Sequence, residues 1–254
     1  MSTEQIKRES ERAEMIYDLL RPTTFWIDKD TELVELTVDN VAKIETMLRI
    51  DSRYAPSDDY DNEKYLPYWM RELGKHLGRF GGEPEKDLDT VITNVVAIID
   101  RENSTHLNAD NVGRGVMEER IKKLVNNNEL LYYLKEPKRE KFDLIGILSE
   151  KTKEGKGGRC NISFASKFCH YACFYIFEGE DAQDNFSIYD SVVVEILPRY
   201  LKYYEIEVDE KKIRNKDYTE YCKAIDGVIR ASGNRISRYG FDHLLWYYFK
   251  DKVK

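Results

Sequence analysis

Lys167 and Asp190 each stand where a helical pattern begins, 23 residues apart. Lys167 closes Ser163-Phe164-Ala165-Ser166-Lys167, and Asp190 precedes the apolar run Ser191-Val192-Val193-Val194. Free lysine is protonated at neutral pH and is then a poor nucleophile. The positive end of a helix and burial beside Phe164, Phe168 and Tyr171 both favour the neutral amine. A neutral amine can attack the anomeric carbon of a nucleoside, expel the base and form a Schiff base. Aspartate before an apolar helix is a preferred N-cap. A capped carboxylate is held in one orientation, where it can stabilise an oxocarbenium-like centre. Each residue also has a structural explanation, as a solvated lysine and as a plain helix cap.

Other chemistry is weakly signalled. Cys169 and Cys173 are one helical turn apart with His170 between them, but no second ligand pair has suitable spacing, so buried thiols are expected rather than zinc. His76, His106 and His243 stand alone in the sequence. There is no phosphate-binding GxxxxGK[ST] loop and no HExxH pair. Gly155, Gly157 and Gly158 are flanked by lysines but follow no strand. No cofactor and no metal is expected.

The elements that must position the pair are helical. Apolar residues recur at helical spacing in Glu11–Leu20, in a helix capped by Thr37 that runs through Leu48, and in Glu63–Phe80 with its start near Pro67. Further helices are predicted over Asp87–Asp100, Met117–Tyr133 (interrupted at Asn126-Asn127-Asn128), Phe142–Glu150 and Ser163–Phe177. Ser191–Tyr204, kinked or broken at Pro198, Tyr218–Ala231 and Ile236–Lys250 complete the set. Glu32–Thr37 alternates and suits one short strand. The fold class is all-α. A composition shift near Pro137 divides it into an N-terminal helical lobe, 1–134, and a C-terminal catalytic lobe, 135–254.

The chain has 254 residues, 41% of them hydrophobic, and a net charge of −7. That length supports one large domain or two small ones. No apolar run is long enough to span a membrane, and Met1–Glu14 lacks the apolar stretch of a secretory signal. Four cysteines with no disulfide pattern suit a reducing, cytoplasmic compartment. The acidity lies in residues 1–134 and 168–197. Residues 135–167 carry nine Lys and Arg against five Asp and Glu. A local basic surface of that kind suits a protein touching a few phosphates with salt-sensitive affinity. Lys151, Lys153, Lys156 and Arg159 are the expected contacts.

From Phe142 to Val194, and more weakly to the C-terminus, the sequence resembles the helix-hairpin-helix DNA glycosylases, in particular their 8-oxoguanine glycosylase-like branch. Ser163-Phe164-Ala165-Ser166-Lys167 takes the hairpin-to-lysine position, and Ile188-Tyr189-Asp190 takes the aspartate position. Ser163 and Ala165 stand where that family's hairpin carries glycines. The lysine-to-aspartate spacing is a few residues longer, with the acidic insert Glu178–Asp184 expected to absorb the excess in a loop. The resemblance implies two helical lobes with the site between them. It implies a modified base flipped out of DNA, with Lys167 as nucleophile and Asp190 assisting. It adds Ser163 and Ser166 to the nucleic-acid contacts, and it makes Phe241, Trp246 and Tyr247 base-pocket candidates by position. The iron–sulfur cluster of some members is not expected, since only Cys222 follows Asp190. Relatives of this branch occur in prokaryotic defence gene neighbourhoods, which implies antiviral defence and protein partners within such a system.

Two other functions suit the same residues. One is a catalytically silent nucleic-acid or protein-binding module on the glycosylase scaffold, favoured by the altered hairpin and acidic surface. The other is a glycosidic-bond enzyme acting on a free nucleotide or RNA.

Overall fold

A computed structural model describes residues 18–50, 61–102, 105, 107, 113–137, 142–151 and 160–252. Most of the expected first helix, with His106, Lys153, Lys156, Arg159 and the glycines at 155–158, lies outside these residues. The fold is all-α. Among the described residues there are eleven α-helices and a single two-stranded sheet.

Thr24–Trp26 (β1) and Glu32–Val34 (β2) pair antiparallel, with Phe25 opposite Leu33. Only β2 is signalled by alternation, because it lies in the longer alternating stretch Glu32–Thr37. Asn40 ties this hairpin to the first helix, Val38–Ile50 (α1). Its fully buried amide donates to the carbonyls of Thr23 and Glu35, and its oxygen accepts from the Thr23 N–H. Thr37 caps α1 through the Asn40 N–H, as its residue type predicts.

Leu66–His76 (α2) carries Pro67 in its first turn, where a missing N–H costs nothing. Leu88–Glu102 (α3) is capped by Asp87, whose carboxylate accepts from the Thr90 N–H and hydroxyl. Gly113–Asn126 (α4) and Leu130–Lys135 (α5) are separated at the expected asparagines. Asn128 takes the left-handed conformation, φ 58°, that ends α4. Asp143–Ser149 (α6) and Ile162–Ile176 (α7) pack against each other. A 3-10 turn, Asp181–Asp184, then precedes Ser191–Tyr203 (α8), Glu210–Arg214 (α9), Tyr218–Ala231 (α10) and Arg238–Phe249 (α11). Pro198 lies inside α8 without breaking it, so of the two expected outcomes the break does not occur.

Helix α7 is the centre of the molecule. It packs against α2, α3, α5 and α6 and against the 3-10 turn. Its apolar residues run round the whole circumference, the pattern of a core helix. Leu134 and Lys135, beside the composition shift, end α5 against this centre. The Asn185 amide donates to both of their carbonyls, at 2.8 and 3.0 Å. Among the described residues no helix is long and apolar enough to cross a membrane.

Candidate active site

One stripe of α7 is less buried than the rest: Ser163, Tyr171 and Phe174 are half-exposed. Helical spacing puts Lys167 on this stripe. Lys167 is nevertheless only 5% exposed. Its Nζ lies 3.4 Å from Asp190 Oδ2. The structure thus joins the two residues singled out by type and position.

Ser163–Lys167 opens α7, as the helix expected over Ser163–Phe177 requires; α7 starts at Ile162, so Lys167 is its sixth residue and lies beyond the first turn. The macrodipole acts mainly within the first turn, so burial rather than the helix end governs this amine. Burial lowers its pKa, and the attraction and hydrogen bond of Asp190 partly oppose that shift.

Asp190 is an N-cap, as expected, accepting from the Val192 N–H at 2.9 Å. The segment before it is unusual. Buried irregular backbone must find partners for its polar groups, and residues 185–189 find them almost entirely in side chains. Arg238 Nη1 donates to the Asn185 carbonyl at 2.6 Å. His170 Nδ1 donates to the Phe186 carbonyl at 2.9 Å. The Tyr218 hydroxyl accepts from Ser187 N–H and donates to its carbonyl. Asp242 Oδ2 accepts from Ile188 N–H at 2.6 Å, and the Tyr221 hydroxyl donates to the Ile188 carbonyl at 2.6 Å. Helices α7, α10 and α11 therefore each grip the segment that presents Asp190.

Ser166 closes this framework. Its hydroxyl accepts from the Tyr189 N–H at 2.9 Å and donates to the Ser163 carbonyl at 3.1 Å. Residues 166 and 189 immediately precede Lys167 and Asp190, so this bond sets the register of the pair. Ser166 is fully buried. Its expected role as a nucleic-acid contact is therefore corrected: the hydroxyl is committed to the protein backbone. Ser163 is half-buried, and Lys151 is exposed.

Phe241 is also corrected. It is fully buried, with its ring 6.3 Å from that of Tyr200 in the core, and so does not line a base pocket. Trp246 is half-buried under the Lys250 ammonium, 4.5 Å from the ring centre, and Tyr247 is half-buried against the core. The acidic insert is not a slack loop. Asp184, within its 3-10 turn, accepts from the Arg238 and Tyr239 N–H groups and so caps α11 together with Ser237.

Sequence reading missed Asp242, Tyr218, Tyr221 and Arg238. Arg238 is buried and bidentate to Asp226, at 2.7 and 2.6 Å. The available signal was polar residues on the apolar faces of α10 and α11. His243 is not isolated in space: its ring centre is 4.0 Å from that of Tyr239 and 6.0 Å from that of His170. Burial pushes the His170 pKa down to about 3, with His243 acting the same way, so its ring is neutral. Cys169, Cys173 and Cys222 are buried free thiols. Among the described residues no group of three or more His, Cys, Asp or Glu side chains is placed to hold a metal ion.

Chemically, the arrangement offers a desolvated amine, a carboxylate of fixed orientation beside it, and a stripe of Ser163, Tyr171 and Phe174 leading to the surface. The sequence matches no family model, and neither a curated protein nor a solved structure matches it.

Proposed function

We propose that the protein is an N-glycosylase that excises a modified base from DNA, with Lys167 as nucleophile and Asp190 as its carboxylate partner. The observation that carries this reading is the 3.4 Å approach of the nearly buried Lys167 Nζ to the capped Asp190 carboxylate. Burial lowers the proton affinity of the amine, which a nucleophilic lysine requires. In the reaction, the Lys167 lone pair bonds to the sugar C1′ while the glycosidic C–N bond breaks. The base leaves with that electron pair and is protonated. As the nitrogen lone pair forms the C=N bond, the C1′–O4′ bond breaks and O4′ takes a proton, so the amine's two protons pass in net to the base and to O4′ and leave a Schiff base, from which strand cleavage can follow. Asp190 offsets the positive charge that develops at the sugar.

The resemblance over 142–194 supports the same reading, since α6, its connection and α7 follow the helix, connector, helix order of that family. Exposed Lys151 is the described member of the proposed phosphate contacts. Lys153, Lys156 and Arg159 complete that set on sequence grounds, and a role in antiviral defence rests on the resemblance alone.

The enclosure of Lys167 favours a second reading, a catalytically silent nucleic-acid or protein-binding module in which the pair only fixes packing. One experiment separates the two. The protein is incubated with duplexes carrying a panel of modified bases, and borohydride is added. A covalent adduct at Lys167 supports the glycosylase and names its substrate. Binding to DNA without an adduct on any duplex supports the silent module.

A further inference from the structure

Resting on the reading of Lys167 and Asp190 as the working pair, we propose that Asp242 is a positioning residue for that pair, acting as a neutral carboxylic acid through the backbone of Ile188. Asp242 lies in α11, is 2% exposed, and accepts from Ile188 N–H at 2.6 Å, two residues before Asp190. Its other oxygen, Oδ1, is buried and has no hydrogen-bond partner. A carboxylate with one oxygen so placed would leave a full charge largely unsolvated. A neutral acid places its proton on Oδ1 and leaves Oδ2 free to accept from Ile188.

The surroundings favour the same state. Asp242 faces Asp184 and Asp190 on the connecting segments, Arg238 on α11, and Tyr221 and Cys222 on α10. Arg238 is committed to Asp226 and the Asn185 carbonyl. His170 and His243 are held neutral by burial. Burial raises the Asp242 pKa well above the carboxylate range, the Asp184 and Asp190 charges add to this, and Ile188 N–H and Arg238 oppose it without reversing it. Asp190, by contrast, has the Lys167 ammonium and the Val192 N–H. Of the two acids, one is held neutral to fix the backbone, and the other is left to serve the amine.

Two measurements test this without DNA, so a failure of trapping on every duplex would sink the glycosylase and leave this proposal standing. The first compares wild type with Asp242→Asn by chemical denaturation between pH 5 and 8. An acid whose folded pKa is raised holds its proton in the folded state after the unfolded chain has lost it. Wild-type stability therefore falls, relative to the asparagine variant, as pH rises above the ordinary carboxylate value. Denaturation midpoints that diverge in favour of Asp242→Asn as pH rises are expected. A constant deficit for Asp242→Asn at every pH would mean an ionised acceptor and would overturn the proposal.

The second measurement reads Lys167 itself. The lysines are dimethylated with carbon-13 formaldehyde and cyanoborohydride, and the Lys167 methyl signal is titrated by NMR. Asp242→Asn, whose amide oxygen can still accept from Ile188, should keep the wild-type midpoint. Asp242→Ala should move it by about half a pH unit or more. A folded Asp242→Ala protein with the wild-type midpoint, or an asparagine variant that shifts as far as the alanine variant, would refute the positioning role. If Asp242→Ala does not fold, the first measurement decides alone.

Discussion

Among the described residues two lysine–carboxylate pairs are largely buried, Lys75 with Glu72 and Lys167 with Asp190, and they are built to opposite effect. In the N-terminal half, Lys75 Nζ lies 2.6 Å from Glu72 Oε1, and Glu72 also accepts from the Glu85 and Lys86 N–H groups. Those hydrogen bonds lower the Glu72 pKa against the pull of burial, and the bond to Glu72 raises that of Lys75. Both charges are stabilised, and the glutamate pins the loop after α2. At Lys167 the separation is 3.4 Å, and burial outweighs the carboxylate, so the amine's pKa is lowered. A short, fully partnered pair is a structural staple. A longer pair with a destabilised ammonium is suited to lose its proton and react.

The sharpest way to break this contrast is to exchange the lysines. With a duplex that wild type traps, Lys167→Gln should abolish the borohydride adduct, because only an amine forms the imine. Lys75→Gln should leave trapping unchanged in any sample that remains folded. Asp190→Asn should slow adduct formation by about 100-fold with little loss of stability, since asparagine caps nearly as well. Full activity in Asp190→Asn would reduce Asp190 to a cap and end the proposed mechanism.

The next effect is on stability, and there the order reverses. Glu72→Ala leaves two backbone N–H groups without their acceptor and the half-buried Lys75 ammonium with only Glu85, 3.5 Å away, and should cost about 2–3 kcal/mol in chemical denaturation. Asp190→Ala should cost about 1 kcal/mol through the lost cap. An equal cost at both sites would mean that Lys167–Asp190 is a second staple, and the silent-module reading would gain.

The same contrast explains what the sequence made legible. Helical spacing located most helices because core-facing periodicity is local. Thr37, Asp87 and Asp190 announce their caps by residue type just before an apolar run. Lys167 and Asp190 were found because each sits beside such a landmark. Their distance from one another is a tertiary fact, as is the burial that governs the amine. The segment 185–189 was read only as the approach to a helix. Its partners come from residues 166, 170, 218, 221, 238 and 242, and no local pattern connects them. Ser166 was misread for that reason: the resemblance made it a nucleic-acid contact, and only the folded chain brings Tyr189 N–H to it. Helix α9 escaped notice because five residues, Glu210–Arg214, are too few to show a period.

Ser166 gives a prediction of intermediate size. Ser166→Ala removes the acceptor for a buried N–H and should cost about 1–3 kcal/mol. It should also slow trapping, because it frees Asp190 relative to Lys167. Ser163→Ala should cost under about 0.5 kcal/mol, as its side chain is half-exposed and the bond runs to its carbonyl. Equal trapping rates in the two variants would show that the Ser166–Tyr189 bond does not set the register of the pair.

The smallest expected effect is also the most direct measure of the contrast, because it reads the two ammonium groups in the resting protein. Wild type, Lys167→Met and Lys75→Met are denatured with urea between pH 8 and 10.5, and each variant is subtracted from wild type so that common titrations cancel. For Lys167 the folded pKa lies below the unfolded value of 10.5. Between those two values the unfolded chain still holds a proton that the folded chain has shed, so stability rises with pH. Wild type should therefore gain on Lys167→Met across the upper part of this range. For Lys75 the folded pKa lies above 10.5. Its stabilisation is fully present below 10.5 and is lost only as pH rises through the higher folded value. The gap between wild type and Lys75→Met should therefore stay level throughout. A level gap for Lys167 as well would mean that its ammonium is as well held as that of Lys75, and a group so held is a poor nucleophile at neutral pH.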